Sequence, residues 1–197
     1  MEKYLAKNID KLSPSGYLPL LNSLIETSKF REKFLVLLQK KISEKHEAIE
    51  LPALCEIVLL YSKAIKESVF LHENLQGYFE ANLNKIDAHY KVILYKAYSI
   101  KSNIPKKFII KSDLEQFFKN SPPEDFFDKV DVLDSLVYSE SSDYELVDKI
   151  TKSILNHNIN DSNEVEVDHI SLLTIYSSIA AMTNNNKYAN YFLNFSQ

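Results

Sequence analysis

Residues 51–87 read LPALCEIVLLYSKAIKESVFLHENLQGYFEANLNKID, and residues 88–118 read AHYKVILYKAYSIKSNIPKKFIIKSDLEQFF. In the first stretch Leu54, Ile57, Val58 and Tyr61 recur at i, i+3, i+4 and i+7, the spacing of one face of a helix. Pro52 suits the first turn of that helix, where its missing N–H costs nothing. Both stretches follow one plan. An apolar helix ends in Tyr-Ser, a polar link follows, and a second helix carries a pair of bulky residues.

The plan extends along the chain. Tyr-Ser stands at Tyr61-Ser62, Tyr98-Ser99, Tyr138-Ser139 and Tyr176-Ser177, at spacings of 37, 40 and 38 residues. Bulky pairs stand at Tyr78-Phe79, Phe117-Phe118, Ile154-Leu155 and Tyr191-Phe192, at spacings of 39, 37 and 37. An earlier copy is marked by Thr27-Ser28. A period of this length is that of a helix–turn–helix unit, which buries its apolar stripes only by stacking on a neighbour. The expected fold is therefore all-α: a single domain over residues 1–197 built as an α-solenoid, a short right-handed superhelix of about five repeats of 34–40 residues. The hairpins are placed at about 16–50, 51–87, 88–121, 122–165 and 166–197. The competing arrangement is an irregular helical bundle with chance placement of tyrosines. Capping boxes at Ser112-x-x-Glu115 and Ser142-x-x-Glu145 mark two helix starts. Pro122 and Pro123 end one helical pattern and open the next. Asn184 to Asn186 reads as a turn.

Composition narrows the function classes. The 197 residues are 45% hydrophobic and 25% charged, in the globular range. Two glycines are too few for a Gly-rich phosphate loop, and one cysteine excludes an internal disulfide or a cysteine zinc cluster. The longest apolar runs fall far short of the ~20 residues of a membrane span. Residues 1–12 lack the apolar core of a secretory signal, and with Glu2, Asp10 and no arginine they make a poor organelle presequence. The net charge of -4 is unevenly divided. Residues 1–111 hold 18 basic against 12 acidic side chains, a balance of +6, and residues 112–197 hold 5 against 15, a balance of -10. Such a split implies two surfaces with different partners.

The repeats in residues 16–197 resemble the degenerate helical hairpins of the heptatricopeptide and octotricopeptide kind. Those occur in RAP-domain and FAST-kinase-like proteins of mitochondria and plastids. The resemblance implies organelle RNA metabolism, or a structural subunit of a divergent mitochondrial ribosome. It implies mitochondrial localisation, with the cytoplasm as the other compartment. No counterpart of the RAP module is expected here. The acidic C-terminal half also differs from a superhelix that wraps naked RNA along its whole length.

The candidate RNA-binding residues are Lys91, Lys96, Lys101, Lys106, Lys107 and Lys111, with no acidic residue between Asp87 and Asp113. A lysine row attracts phosphate without sequence preference. Arg31 is the sole arginine, so bidentate reading of bases is not expected, and neither is a DNA partner. An aromatic among His89, Tyr90, Tyr95, Tyr98 and Phe108 could stack on an unpaired base. The other reading has the tyrosines in the core and the lysines on a solvated face. Lys40, Lys41 and Lys45 read as a solvated face with Glu44 and Glu47. The acidic series Asp128, Asp131 and Asp134 reads as an exposed helix face for a basic protein partner. Asp161, Glu164, Glu166 and Asp168, flanked by His157 and His169, are a polar loop more readily than a metal site. His46, His72, His89, His157 and His169 form no catalytic order with serine or cysteine, and Cys55 reads as a buried small hydrophobe. No catalytic residue, metal or cofactor is expected. The expected function is a non-catalytic structural subunit of a large assembly that meets structured RNA such as rRNA and other protein subunits. The alternative is a protein-only scaffold that holds a peptide or helix in its groove.

Overall fold

Eight α-helices and no strand occur among the described residues of the computed structural model, which are 7–26, 32–64, 69–99, 109–139 and 143–155. The helices are α1 Tyr17–Glu26, α2 Glu32–Lys45, α3 Leu51–Ala64, α4 Val69–Asn82, α5 Ala88–Ser99, α6 Ile109–Asn120, α7 Phe126–Tyr138 and α8 Tyr144–Leu155. The all-α class expected from the apolar spacing is what the chain adopts. The chain divides into two compact units, Met1–Lys111 and Ser112–Gln197. The division falls at the residue where the charge balance changes sign.

The first unit repeats itself with a spacing of 37 residues. Three short 3-10 turns, Ile9–Lys11, His46–Ala48 and Leu83–Lys85, begin 37 residues apart. Each is closed by a backbone bond from the next residue: Leu12, Ile49 and Ile86 donate to the carbonyls of Ile9, His46 and Leu83 at 3.1, 3.0 and 3.3 Å. All three closing residues are extended, with ψ of 129°, 136° and 127°. Ile49 and Ile86 are buried, so each turn is pinned by one apolar side chain. Helices α2 and α4 have 14 residues each and start 37 residues apart, as do the starts of α3 and α5.

Packing follows the same order. α1 packs on α3, α3 packs on α5, and α2 packs on α4. First helices thus meet first helices, and second helices meet second helices. This explains the wide buried face of α3. Leu54, Cys55, Ile57, Val58, Tyr61 and Ser62 are all buried because α3 has a neighbour on two sides. Burying each of the larger side chains contributes about 1.5–3 kcal/mol.

Two buried phenols mark the register. Tyr61 donates its hydroxyl to the carbonyl of Leu35 at 3.1 Å, and Tyr98 donates to the carbonyl of His72 at 3.0 Å. Leu35 and His72 are each the fourth residue of their helix, and both bonds reach back 26 residues. Burial holds both phenols protonated, with pKa values raised far above that of an ordinary tyrosine. The first turn is held by charge as well. Lys41 lies 2.9 Å from both Asp10 and Glu44, and Lys45 donates to the Asp10 carbonyl at 3.2 Å. The Lys41 ammonium beside Asp10 holds that carboxyl below its usual range.

In the second unit α7 packs on α8 through Val132, Leu133, Leu136 and Val137 on one side and Leu146, Val147, Ile150 and Ile154 on the other. Asp125 caps α7 by accepting from the Asp128 N–H at 3.0 Å, directly after the Pro122-Pro123 break. One predicted helix start is displaced: α6 is already running at Ile109, so Ser112 stands inside its first turn and not at its cap. α8 starts at Tyr144, and Asp143 caps it by accepting from the Leu146 N–H at 3.1 Å. Ser142 lies outside the described residues. Lys119 closes this unit with ion pairs to Asp143 at 2.8 Å and Glu145 at 3.3 Å, and Lys149 donates to the Lys119 carbonyl. The predicted fifth hairpin at 166–197 lies outside the described residues.

Tyr61→Phe and Tyr98→Phe should each lower the unfolding free energy by about 0.5–1.5 kcal/mol, since each deletes one buried bond and leaves the helical bond of the carbonyl in place. Urea denaturation followed by circular dichroism measures this. Equal losses at the two sites are expected from their equal geometry, and no loss at either would show that the phenols do not hold the register.

Candidate functional site

The predicted basic row does not lie on one stripe of α5. Lys91 and Lys96 are five residues apart, which separates their directions by about 140° around the helix axis. Lys91 turns inward and is only 8% exposed. Burial pulls its amine below the ordinary lysine range, and the charge of Asp87 opposes that pull. Lys96 and Lys111 are half-buried on α5 and α6. Lys101, Lys106 and Lys107 lie outside the described residues. Tyr95 and Tyr98 belong to the core, so neither can stack on a base. His89 is exposed and Tyr90 half-buried beside it, with ring centroids 5.4 Å apart. Among His89, Tyr90, Tyr95 and Tyr98, those two are the ones not enclosed in the core.

The acidic face of α7 is also arranged differently from its sequence reading. Asp128 is buried at 9% exposure, whereas Asp131 and Asp134 are half-buried. Steps of three residues fall short of a full turn by about 60° each, so a three-residue series drifts off any one face. The outward stripe is instead Phe127, Asp131 and Asp134, and Phe127 is 58% exposed.

One polar cluster escaped the sequence reading because none of its members is near another in the chain. Ser62 on α3, His72 on α4 and Ala97 on α5 meet at the junction of the second and third hairpins. The His72 Nε2 lies 2.8 Å from the Ser62 hydroxyl and 3.3 Å from the Ala97 carbonyl. The Ser62 hydroxyl is 2.9 Å from the carbonyls of both Ala97 and Val58. A hydroxyl has one proton to give, so this set is satisfied when Nε2 carries its proton and donates to Ser62, which donates onward to a carbonyl. The His72 ring stands edge-on to Tyr98 with centroids 4.9 Å apart. His72 is 0% and Ser62 2% exposed, so this serine–histidine pair is closed to solvent. Its signal was present in the 37-residue register. Thirty-seven residues earlier the same three places hold Ile25, Leu35 and Leu60, all apolar.

The remaining candidates carry no visible chemistry. Cys55 is fully buried, and burial, assisted by the negative charges of Asp87 and Glu56, pushes its thiol up to about 12. Among the described residues no group of three or more His, Cys, Asp or Glu side chains is placed to hold a metal ion, and no helix is long and apolar enough to cross a membrane. Residues 157–169, predicted as a polar loop, lie outside the described residues. No protein-family model, curated protein or solved structure matches this chain.

Ser62→Ala should cost about 0.5–1.5 kcal/mol, because it deletes the 2.8 Å bond to His72 Nε2 and leaves that nitrogen the longer contact with the Ala97 carbonyl at 3.3 Å. Ser62→Ala combined with His72→Leu copies the apolar junction found one repeat earlier and should recover most of that loss. Chemical denaturation of both variants tests this, and a double variant no more stable than the single one would contradict it. Cys55 should resist alkylation at pH 8 in the folded protein and react fully in strong denaturant, since its thiol holds its proton well above that pH. Rapid labelling of the native chain, read by mass spectrometry, would contradict the buried placement.

Proposed function

We propose that this chain is a non-catalytic helical-repeat subunit of a large ribonucleoprotein assembly, with its repeats forming an α-solenoid of about five hairpins. The single observation that carries the reading is the 37-residue register of turns, helices and phenol-to-carbonyl bonds between residues 9 and 99. A repeating stack offers an extended flank for docking and has no need of a central cavity. The charge split supports two kinds of contact. The basic residues 1–111 suit a phosphate backbone, and the acidic residues 112–197 suit a protein neighbour. The resemblance of the repeats to organelle RNA proteins points to a mitochondrial ribosome or a related particle.

Within this reading the phosphate contacts fall to Lys96, Lys101, Lys106, Lys107 and Lys111, with His89 and Tyr90 available for stacking. Lys91 contributes least, because little of its side chain is exposed. That same burial favours a second reading, a protein-only scaffold in which the lysines serve the fold and solubility.

A binding experiment separates the two. The full chain, titrated with a structured RNA hairpin at several salt concentrations, should bind with an affinity that falls steeply as salt rises. Changing Lys101, Lys106 and Lys107 together to Glu should weaken binding at least about tenfold at about 100 mM salt and flatten the salt dependence. Binding that is absent, or unchanged by the triple substitution, would remove the RNA contact and leave the scaffold reading.

A further inference from the structure

Helix α6 stops at Asn120, and residues 121–125 form the link to α7. Ser121 opens that link and is exposed. Its N–H donates to the Phe117 carbonyl at 2.8 Å and closes the last turn of α6, while its hydroxyl has no hydrogen-bond partner among the described residues. Pro122 follows, which has no N–H to continue the helix and disfavours helical backbone at the residue before it. One cation stands close by. Lys149, exposed on α8, donates to the carbonyl of Lys119, two residues before Ser121. Two residues span at most about 7.6 Å between Cα atoms, a gap that a lysine side chain bridges by swinging. That bond uses one of the three donors of the ammonium, and no carboxylate pairs with Lys149 among the described residues. The Lys119 ammonium, by contrast, is taken by Asp143 and Glu145.

We propose that Ser121 is a phosphorylation site for a proline-directed serine kinase and that Lys149 receives the phosphate. The Ser121 Oγ forms a bond to the γ-phosphorus of ATP, the bond from that phosphorus to the bridging oxygen of the β-phosphate breaks, ADP leaves, and the hydroxyl proton passes to the base of the kinase. Pro122 supplies the recognition. A kinase cleft with no acceptor at the following position takes proline without loss and leaves the N–H of any other residue unpaired. Pro122 is half-buried and Pro123 buried, so the link lifts locally when the cleft takes it. Ser13-Pro14 is the other Ser-Pro step of the chain. There a 3-10 turn begins at Pro14 and runs into α1, and the Ser13 hydroxyl lies 3.0 Å from that of Ser15, so no link of comparable length is offered. On Ser121 the phosphate adds about 1.5–2 negative charges at the negative end of α6, close in the chain to Glu124 and Asp125. All three oppose it. The Lys149 ammonium offsets them by leaving the carbonyl for the phosphate oxygens, which fastens the link to α8. The inference uses none of the lysines assigned to RNA, so it stands or falls separately from the proposed function.

Incubating the full chain with a purified proline-directed serine kinase and ATP, then mapping the phosphate by mass spectrometry, tests the site. Ser121 should be modified at least about tenfold faster than Ser13, because its link opens more readily. Pro122→Ala restores an N–H at the recognition position and should slow modification of Ser121 at least about tenfold, with the circular dichroism of the chain unchanged. The receptor is read separately, by phosphorus NMR of the phosphorylated chain. Lys149→Ala removes the ammonium from an exposed position and should raise the second ionisation of the phosphate by at least about 0.3 pH units, since a nearby cation favours the dianion. Lys152→Ala, about one turn further along α8, should leave that ionisation in place. A chain that takes its phosphate at Ser13 or takes none overturns the proposal. So does modification of Ser121 that is indifferent to Pro122→Ala, or a phosphate whose ionisation ignores Lys149→Ala.

Discussion

A phenol hydroxyl bound to a helix carbonyl is the interaction on which this structure turns. Tyr61 reaches from α3 back to α2, and Tyr98 reaches from α5 back to α4, each ending on the fourth residue of its target. A buried hydroxyl must find an acceptor, and only one placement of consecutive hairpins supplies it. A slip of one residue would rotate the target carbonyl by about 100° and leave the hydroxyl unpaired. Apolar stripes alone would tolerate several nearby arrangements. The two bonds select one, and they do so twice with the same geometry.

The junctions so defined are alike in shape and unlike in chemistry. The second holds Ser62, His72 and Ala97, and the positions 37 residues earlier are Ile25, Leu35 and Leu60. A buried polar set contributes less net stability than well-packed hydrocarbon, but it penalises mispairing strongly. If all junctions were apolar, hairpins could exchange places at little cost. A polar lock at the second junction accepts only the partner that presents the matching groups. The same reasoning applies to charge at the surface. Asp10, Lys41 and Lys45 tie the first turn to α2, and Lys119 ties the end of α6 to the start of α8. Surface pairs of this kind contribute little stability each, and their value here is in placing the ends of elements.

In the function proposed above, the contacts are made by what the flanks present. Residues 1–111 are basic and residues 112–197 acidic, and the structure divides at the same residue. Charge of that size directs encounters over several ångströms, whereas exposed side chains such as Val36 and Phe127 act only on contact.

The helical class was legible from the sequence, and so was the approximate period of the elements between residues 9 and 99, because apolar spacing and paired aromatics are written locally. The spacing of Leu54, Ile57, Val58 and Tyr61 is enough to predict α3, and recurrent Tyr-Ser is enough to predict the repeat. The regular 3-10 turns were less visible, since IDKL, HEAI and LNKI share little beyond a closing aliphatic residue. The side-chain roles required the tertiary structure. Lys91 and Asp128 look solvated in the chain, yet each is buried, because direction around a helix axis is decided by which neighbours pack against it. Ser62, His72 and Ala97 are 10 and 25 residues apart in the chain and became one site only when three helices converged. The sequence alone therefore determined that this protein is helical, with opposite charge in its two parts. The identity of the inward and outward side chains was decided by packing, because burial is a property of the neighbours a residue meets and not of the residue itself.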